Sequence, residues 1–212
     1  FGVTQTIFAV ENNINLLAEM VGMSPWEFRH KNALRPGDVM PNGQIAGPDC
    51  AIVQCLEAVK EAYESSPRAG LGCGLKNSGV GVGLPDTGRC LLSIEGGKVH
   101  IRTSAACMGQ GIATMCAHMI CKTTGLAPQA LVYERPDTVR TPNSGTSTAS
   151  RQTVISGEAV RRAAEKLAAE LQSGKSLKEL EGQEFHGEFL AETDPMGSPK
   201  DNPVSHVSYS YS

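Results

Sequence analysis

The sequence predicts an α+β fold: a small helical lead-in, then a mixed or antiparallel sheet carrying helices on one face. Three observations carry that reading. Residues 1–67 hold three stretches of helical apolar spacing, the strand signals all lie beyond Gly70, and two further helical stripes are set among those strands. The predicted organisation is therefore a helical lead-in and connector over 1–67 and an α+β domain over 68–212, the latter truncated at its C-terminal end.

Each element has its own local reason. Ile7, Val10, Ile14, Leu17, Ala18 and Val21 recur at helical spacing, and Gly22 can end that helix. Ser24-Pro25-Trp26-Glu27 has a capping residue, proline at the first helical position and glutamate three residues on, so a capping box should start the second helix. Asp49 is placed to cap a third helix through Ile52, Val53, Leu56, Val59 and Tyr63. Gly70 to Leu84 reads as an extended, glycine-punctuated run. Cys90–Ile94 and Val99–Arg102 flank Glu95-Gly96-Gly97-Lys98, a hairpin signal. Ile112, Met115, Cys116, Met119 and Ile120 form a helical stripe closed by Gly125 and Pro128, and residues 130–134 read as a strand. Val154, Val160, Ala163, Ala164, Leu167, Ala168 and Leu171 mark a long helix. Strands near 184–191 and 204–211 complete the order.

Composition narrows the function. A net charge of −3 and the lack of a Lys/Arg run give no footprint for nucleic acid or a membrane surface. No apolar run approaches the roughly eighteen residues of a membrane span. Seven cysteines (50, 55, 73, 90, 107, 116 and 121) show neither a C-x-x-C nor a zinc spacing with histidine. They read as free thiols in a reducing cytoplasm, most of them packed as small hydrophobes. The chain opens at Phe1 rather than methionine and stops inside an alternating Ser/Tyr pattern, so a piece of a longer protein is expected.

Several motifs fail on inspection. The glycines at 70–74 and 79–83 lack the spacing and the directly following helix of a dinucleotide-binding turn. None of the five histidines forms a metal-binding H-x-x-x-H, and no G-x-S-x-G elbow supports a serine hydrolase. What remains are two polar loops about thirty residues apart, each running into a predicted helix: Thr103–Gly111 and Thr141–Ser150. Backbone N–H groups left free at a helix start, hydroxyls and glycines together make an anion cradle. Taken singly, the first could be an ordinary helix start and the second a surface turn. In tandem they suggest one ligand with several phosphate or oxyanion groups, and the two loops should then lie side by side.

These residues, in order, resemble the molybdenum-binding subunit of the xanthine dehydrogenase and aldehyde oxidase family, the molybdenum hydroxylases. Phe1-Gly2-Val3-Thr4-Gln5 is similar to the family's R-G-F-G-x-x-Q segment just after its arginine. Leu17–Asn32 resembles a helical stretch ending in R-x-x-N, and Lys76–Val80 leads into a substrate-side strand. Met108-Gly109-Gln110-Gly111 matches the E-M-G-Q-G-type loop, and Pro142–Ser150 matches P-N-[ST]-x-x-[ST]-x-A-S. The likeness is nearest to bacterial xanthine dehydrogenase-like members.

The resemblance implies a molybdopterin cofactor carrying molybdenum, in bacteria often as a dinucleotide of which the cytosine form is one candidate, with 2Fe-2S clusters and FAD on other domains or subunits. It implies Gly109, Gln110 and Gly111 at the pterin and its nearby phosphate, and Ser147, Thr148, Ala149 and Ser150 at the phosphates. Phe1 would pack on a flat heterocycle, and Val82 stands where animal xanthine enzymes place a second aromatic. The implied substrate is a purine, another heteroaromatic or an aldehyde, hydroxylated with water as oxygen source. The partners are the remainder of the molybdenum subunit and the iron–sulfur and flavin parts. The family's catalytic glutamate lies in a G-x-G-E motif further along than residue 212, so no catalytic residue is assigned here and the piece alone is expected to be inactive. Cys107 stands in place of the acidic residue before M-G-Q-G. The competing reading is a non-catalytic module that binds a phosphorylated ligand.

Overall fold

The computed structural model describes residues 2–212. In chain order its elements are α1 (Val3–Met20), α2 (Pro25–Asn32), α3 (Ile52–Glu64), β1 (Leu75–Ser78), β2 (Asp86–Glu95), β3 (Lys98–Arg102), α4 (Ile112–Thr124), β4 (Leu131–Tyr133), α5 (Gly157–Gln172), β5 (Glu184–Ala191) and β6 (Ser208–Tyr211). They fall into two compact units. One runs to Asn77 and takes in Met196–Ser205 and Tyr209–Ser212; the other comprises Ser78–Pro195 and His206–Ser208.

The first unit holds the three leading helices. The capping box predicted for α2 is present: Glu27 N–H donates to Ser24 Oγ (3.1 Å) and Ser24 N–H to Glu27 Oε2 (2.9 Å). Two buried side chains tie the helices together. Trp26 Nε1 donates to the Leu56 carbonyl at 2.8 Å, and Arg29 Nε meets Glu11 Oε2 at 2.8 Å. One helix expectation fails here. Ala51, not Asp49, occupies the cap position of α3, and no side chain caps that helix. On α1, Ala18 alone is buried, while Val10, Leu17 and Val21 stay 47%, 47% and 58% exposed. The last strand begins at Ser208 rather than near 204 and pairs with β1 in a two-stranded sheet.

The second unit is built on a four-stranded sheet in the order β4-β3-β2-β5. β2 is antiparallel to β3 and β5, and β3 is parallel to β4, so the sheet is mixed. The β2–β3 hairpin turns at Gly96 (φ 59°) and Gly97 (φ 70°), the left-handed pair a tight two-residue hairpin requires. Apolar residues of α4 and α5 pack with one face of the strands: Leu92, Ile94, Val99 and Ile101 meet Ile112, Ile120, Val160 and Leu167, all essentially buried. A Cβ on Gly187 would lie 2.0 Å from the Ala159 carbonyl oxygen, so α5 rests its backbone directly on β5. Arg162 and Lys166 of α5 then donate to the Glu188 and His186 carbonyls, blunting the edge strand. All seven cysteines are free, and burial pushes the Cys116 thiol up to about 12.

Candidate cofactor cradle

Loop 103–111 connects β3 to α4, and its shape comes from its own backbone. Gly109 and Gly111 are left-handed (φ 114° and 79°), which aims successive N–H groups the same way. Gly111 occupies the N-cap position of α4 and no side chain caps that helix. The backbone N–H groups of Gly109 first, then Ile112, Gly111 and Gln110, hold the Cys107 thiol below the usual range. The loop thus stabilises negative charge at an exposed position, and its donor set suits a phosphate or other oxyanion. The Gln110 amide closes the loop across its base: Oε1 accepts Met108 N–H at 2.6 Å and Nε2 donates to the Ala106 carbonyl at 2.7 Å.

Loop 141–150 leads to α5 through a π-helical turn, Gln152–Ser156, which the apolar periodicity did not predict. Ser144 is fully buried; its Oγ accepts Arg89 N–H (3.0 Å) and lies 3.1 Å from Ser156 Oγ. Ala149 and Ser150 are left-handed at φ 51° and 53°. Ser150 is exposed, and no side-chain cap is made at this helix start.

The two loops lie side by side. Ser147 Oγ donates to the Ala106 carbonyl at 3.0 Å, the same oxygen that Gln110 Nε2 reaches. Ser144 N–H donates to Ser104 Oγ at 2.7 Å, and Gln152 Nε2 reaches Ser147 Oγ at 2.7 Å. Gln110 and Ser147 therefore meet on one carbonyl group, with Gly109 and Gly111 on the near loop and Thr148, Ala149 and Ser150 continuing the other. Among the described residues no cluster of His, Cys, Asp and Glu is placed to hold a metal ion. The donors on offer are main-chain N–H groups and hydroxyls.

Val82 sits in a separate turn, left-handed at φ 49° between Gly81 (φ 68°) and Gly83 (φ 81°). A β-branched residue there is strained, and the turn is held by Val80 N–H to Asp86 Oδ2 (2.8 Å) and Gly83 N–H to Thr193 Oγ1 (3.0 Å). Phe1 lies outside the described residues. Sequence reasoning missed Arg151 and Asp86, which meet under the second loop with Nε–Oδ1 at 2.5 Å. The available signals were an arginine directly after a Ser/Thr-rich loop and an aspartate directly after Pro85. No helix of the described residues is long and apolar enough to cross a membrane.

The sequence profile of the molybdopterin cofactor-binding domain matches residues 52–198. The chain is 34% identical over 181 residues to the aldehyde oxidoreductase of Megalodesulfovibrio gigas, covering 79% of this chain and 20% of that protein. It is 29% identical over 180 residues to the xanthine dehydrogenase molybdenum-binding subunit of Escherichia coli O157:H7, covering 77% and 24%. The solved aldehyde oxidoreductase from Desulfovibrio gigas superposes with a TM-score of 0.82 at 27% identity, over 100% of this chain and 26% of that one. The chain thus spans about a fifth to a quarter of the length of these relatives. By profile, by sequence and by fold it belongs to the molybdopterin cofactor-binding domain family of the molybdenum hydroxylases.

Proposed function

We propose that this chain supplies the anion-gripping part of a molybdopterin site in an enzyme that hydroxylates a carbon of a purine, another heteroaromatic or an aldehyde, using water as the oxygen source. In this reading the N–H groups of Gly109, Gln110 and Gly111 face the pterin and its nearby phosphate. Ser147, Thr148, Ala149 and Ser150 give N–H and O–H donors to the phosphates of a cytosine dinucleotide form. Phe1 and Val82 line the substrate side. The bound cofactor supplies the two-electron redox chemistry, with 2Fe-2S clusters and FAD on other domains or subunits. The chain's share is binding and orientation. Asp86, the carboxylate nearest these loops, is buried with both oxygens engaged, by Arg151 and by Val80 N–H. The setting is a cytoplasmic complex with further subunits or domains.

One observation carries the reading: two loops of anion-binding chemistry are joined on the Ala106 carbonyl, with left-handed Gly109 and Gly111 setting the backbone of the first. The test is made in the intact enzyme. Gln110→Ala and Ser150→Ala should lower molybdenum content while leaving the melting temperature nearly unchanged, Ser150→Ala more weakly because neighbouring donors substitute for it. Full metal loading and unchanged turnover in Gln110→Ala would overturn the assignment of this loop. The purified 212-residue chain alone should retain no stoichiometric molybdenum and should not oxidise xanthine, hypoxanthine or nicotinate. Tight binding of a phosphorylated ligand by a complex that never carries molybdenum would favour a non-catalytic binding module instead.

A further inference from the structure

Asp86 and Arg151 are 3% and 1% exposed, and every side-chain bond they make beyond their own ion pair ends on the backbone of a loop or its flanking strand. Arg151 Nη1 donates to the carbonyls of Ser144 (2.7 Å) and Thr146 (3.0 Å), and Nη2 to that of Thr87 (2.7 Å). Asp86 Oδ2 accepts Val80 N–H at 2.8 Å. One further bond joins the two loops directly, Gly79 N–H to the Ala149 carbonyl at 3.0 Å. The fit is close enough that a Cβ on Gly145 would stand 3.1 Å from Arg151 Nη2.

Both loops are strained, and the strain lies at residues with a proposed ligand role. Val82 in one, Ala149 and Ser150 in the other, hold left-handed angles without being glycine. Such angles persist only where the surroundings over-determine them. The pair between the loops supplies that determination to both at once. Ordinary stabilisation is a poor reason to bury these charges, because a buried ion pair is often no better for stability than apolar groups of the same volume.

We propose that Asp86 and Arg151 are positioning residues: their ion pair sets the phosphate-side loop 144–150 and the Val82 turn as one rigid piece before cofactor arrives. The pair itself touches neither cofactor nor substrate. The inference rests on the cradle reading above, and its consequence is coupling: loosening either partner loosens both loops together.

Hydrogen exchange on the cofactor-free enzyme tests this without any turnover. Arg151→Lys keeps a cation beside Asp86 but cannot reach three carbonyls, and Asp86→Asn releases Val80 N–H. Each should speed exchange of the amides at 79–83 and 144–151 together while the amides of α4 and the middle of α5 stay protected. Titrating apo-enzyme with molybdopterin dinucleotide should show affinity falling about tenfold, as for loss of a buried hydrogen-bonded anchor, with occupancy restored at high cofactor. Loosening confined to the loop next to the substituted residue would overturn the coupling. A lower melting temperature with an unchanged binding curve would reduce the pair to scaffold and overturn the proposal. Gln110→Ala and Ser150→Ala run alongside separate the two ideas. If those variants bind cofactor normally, the cradle reading fails. If they lose it and Arg151→Lys does not, only the positioning role fails.

Discussion

Loop 141–150 is pinned from beneath by a guanidinium that water cannot reach, whereas loop 103–111 is closed by an amide side chain lying in water. The first borrows its shape from the sheet, through Arg151 to Thr87 and Asp86. The second makes its shape locally, through two left-handed glycines and the bonds from Gln110 to Met108 and Ala106. The difference teaches where each loop is vulnerable. A buried anchor ties loop geometry to the stability of the unit. A local one lets the loop change while the fold stays intact.

The largest expected effect lies at the buried anchor. Arg151→Met leaves Asp86 buried and unpaired, a lesion of about 3–5 kcal/mol. Urea unfolding should register it as a lower midpoint with an unchanged slope. Gln110→Ala removes two hydrogen bonds from a group that water can solvate, so its cost should stay under about 1 kcal/mol. Equal losses from the two substitutions would erase the distinction between a borrowed and a local loop.

How much of this was legible depended on how far each determinant reaches along the chain. The Gly96-Gly97 turn and the Ser24–Glu27 box act over a few residues, and both form as the sequence implied. The cap of α3 did not, because Asp49 lies two residues ahead of the Ala51 cap position, and no side chain caps that helix. The stripe on α1 was a correct reading of helical spacing, with the helix at Val3–Met20, but periodicity cannot say what covers a face, and Val10 and Leu17 of that stripe each stand 47% exposed. Both polar loops were visible as composition. Their contact through Ala106 and Ser147 was expected only on the assumption of a shared ligand. The Asp86–Arg151 pair joins residues 65 apart, and nothing in either local segment names its partner.

A smaller effect belongs to the start of α5, just beyond the pinned loop. Hydrogen bonds from Arg161 first, then Arg162, pull the Glu158 carboxyl down to about 2, against an opposing desolvation. A carboxylate whose folded pKa lies below its unfolded one stabilises above the unfolded value and loses that contribution as pH falls through the folded one. Stability should therefore drop from roughly pH 4.5 toward pH 2, by no more than about 1 kcal/mol because the arginines are solvent-screened. Glu158→Gln should flatten that part of the acid limb in a pH series of thermal melts. An acid limb unchanged by the substitution would show that Glu158 contributes nothing through these bonds.

The smallest effect leaves stability alone and reads the local loop directly. Cys107 is the one exposed cysteine among those described, and the N–H groups of Gly109, Ile112, Gly111 and Gln110 favour its thiolate. The thiolate is the nucleophile, so the midpoint of its alkylation by iodoacetamide should lie at lower pH in the folded chain than in urea. Cys107→Ser should remove that fast phase and leave the slower, buried and half-buried thiols. Three of these N–H groups, those of Gly109, Gln110 and Gly111, are the ones proposed to face the cofactor, so on that proposal the sulfur and a phosphate oxygen compete for them. Loading the enzyme with cofactor should then raise the midpoint or block the reaction, and stripping the cofactor should restore it. Folded and unfolded midpoints that coincide would mean that these amides do not act on the sulfur, and loop 103–111 would lose its claim to bind charge through its backbone alone.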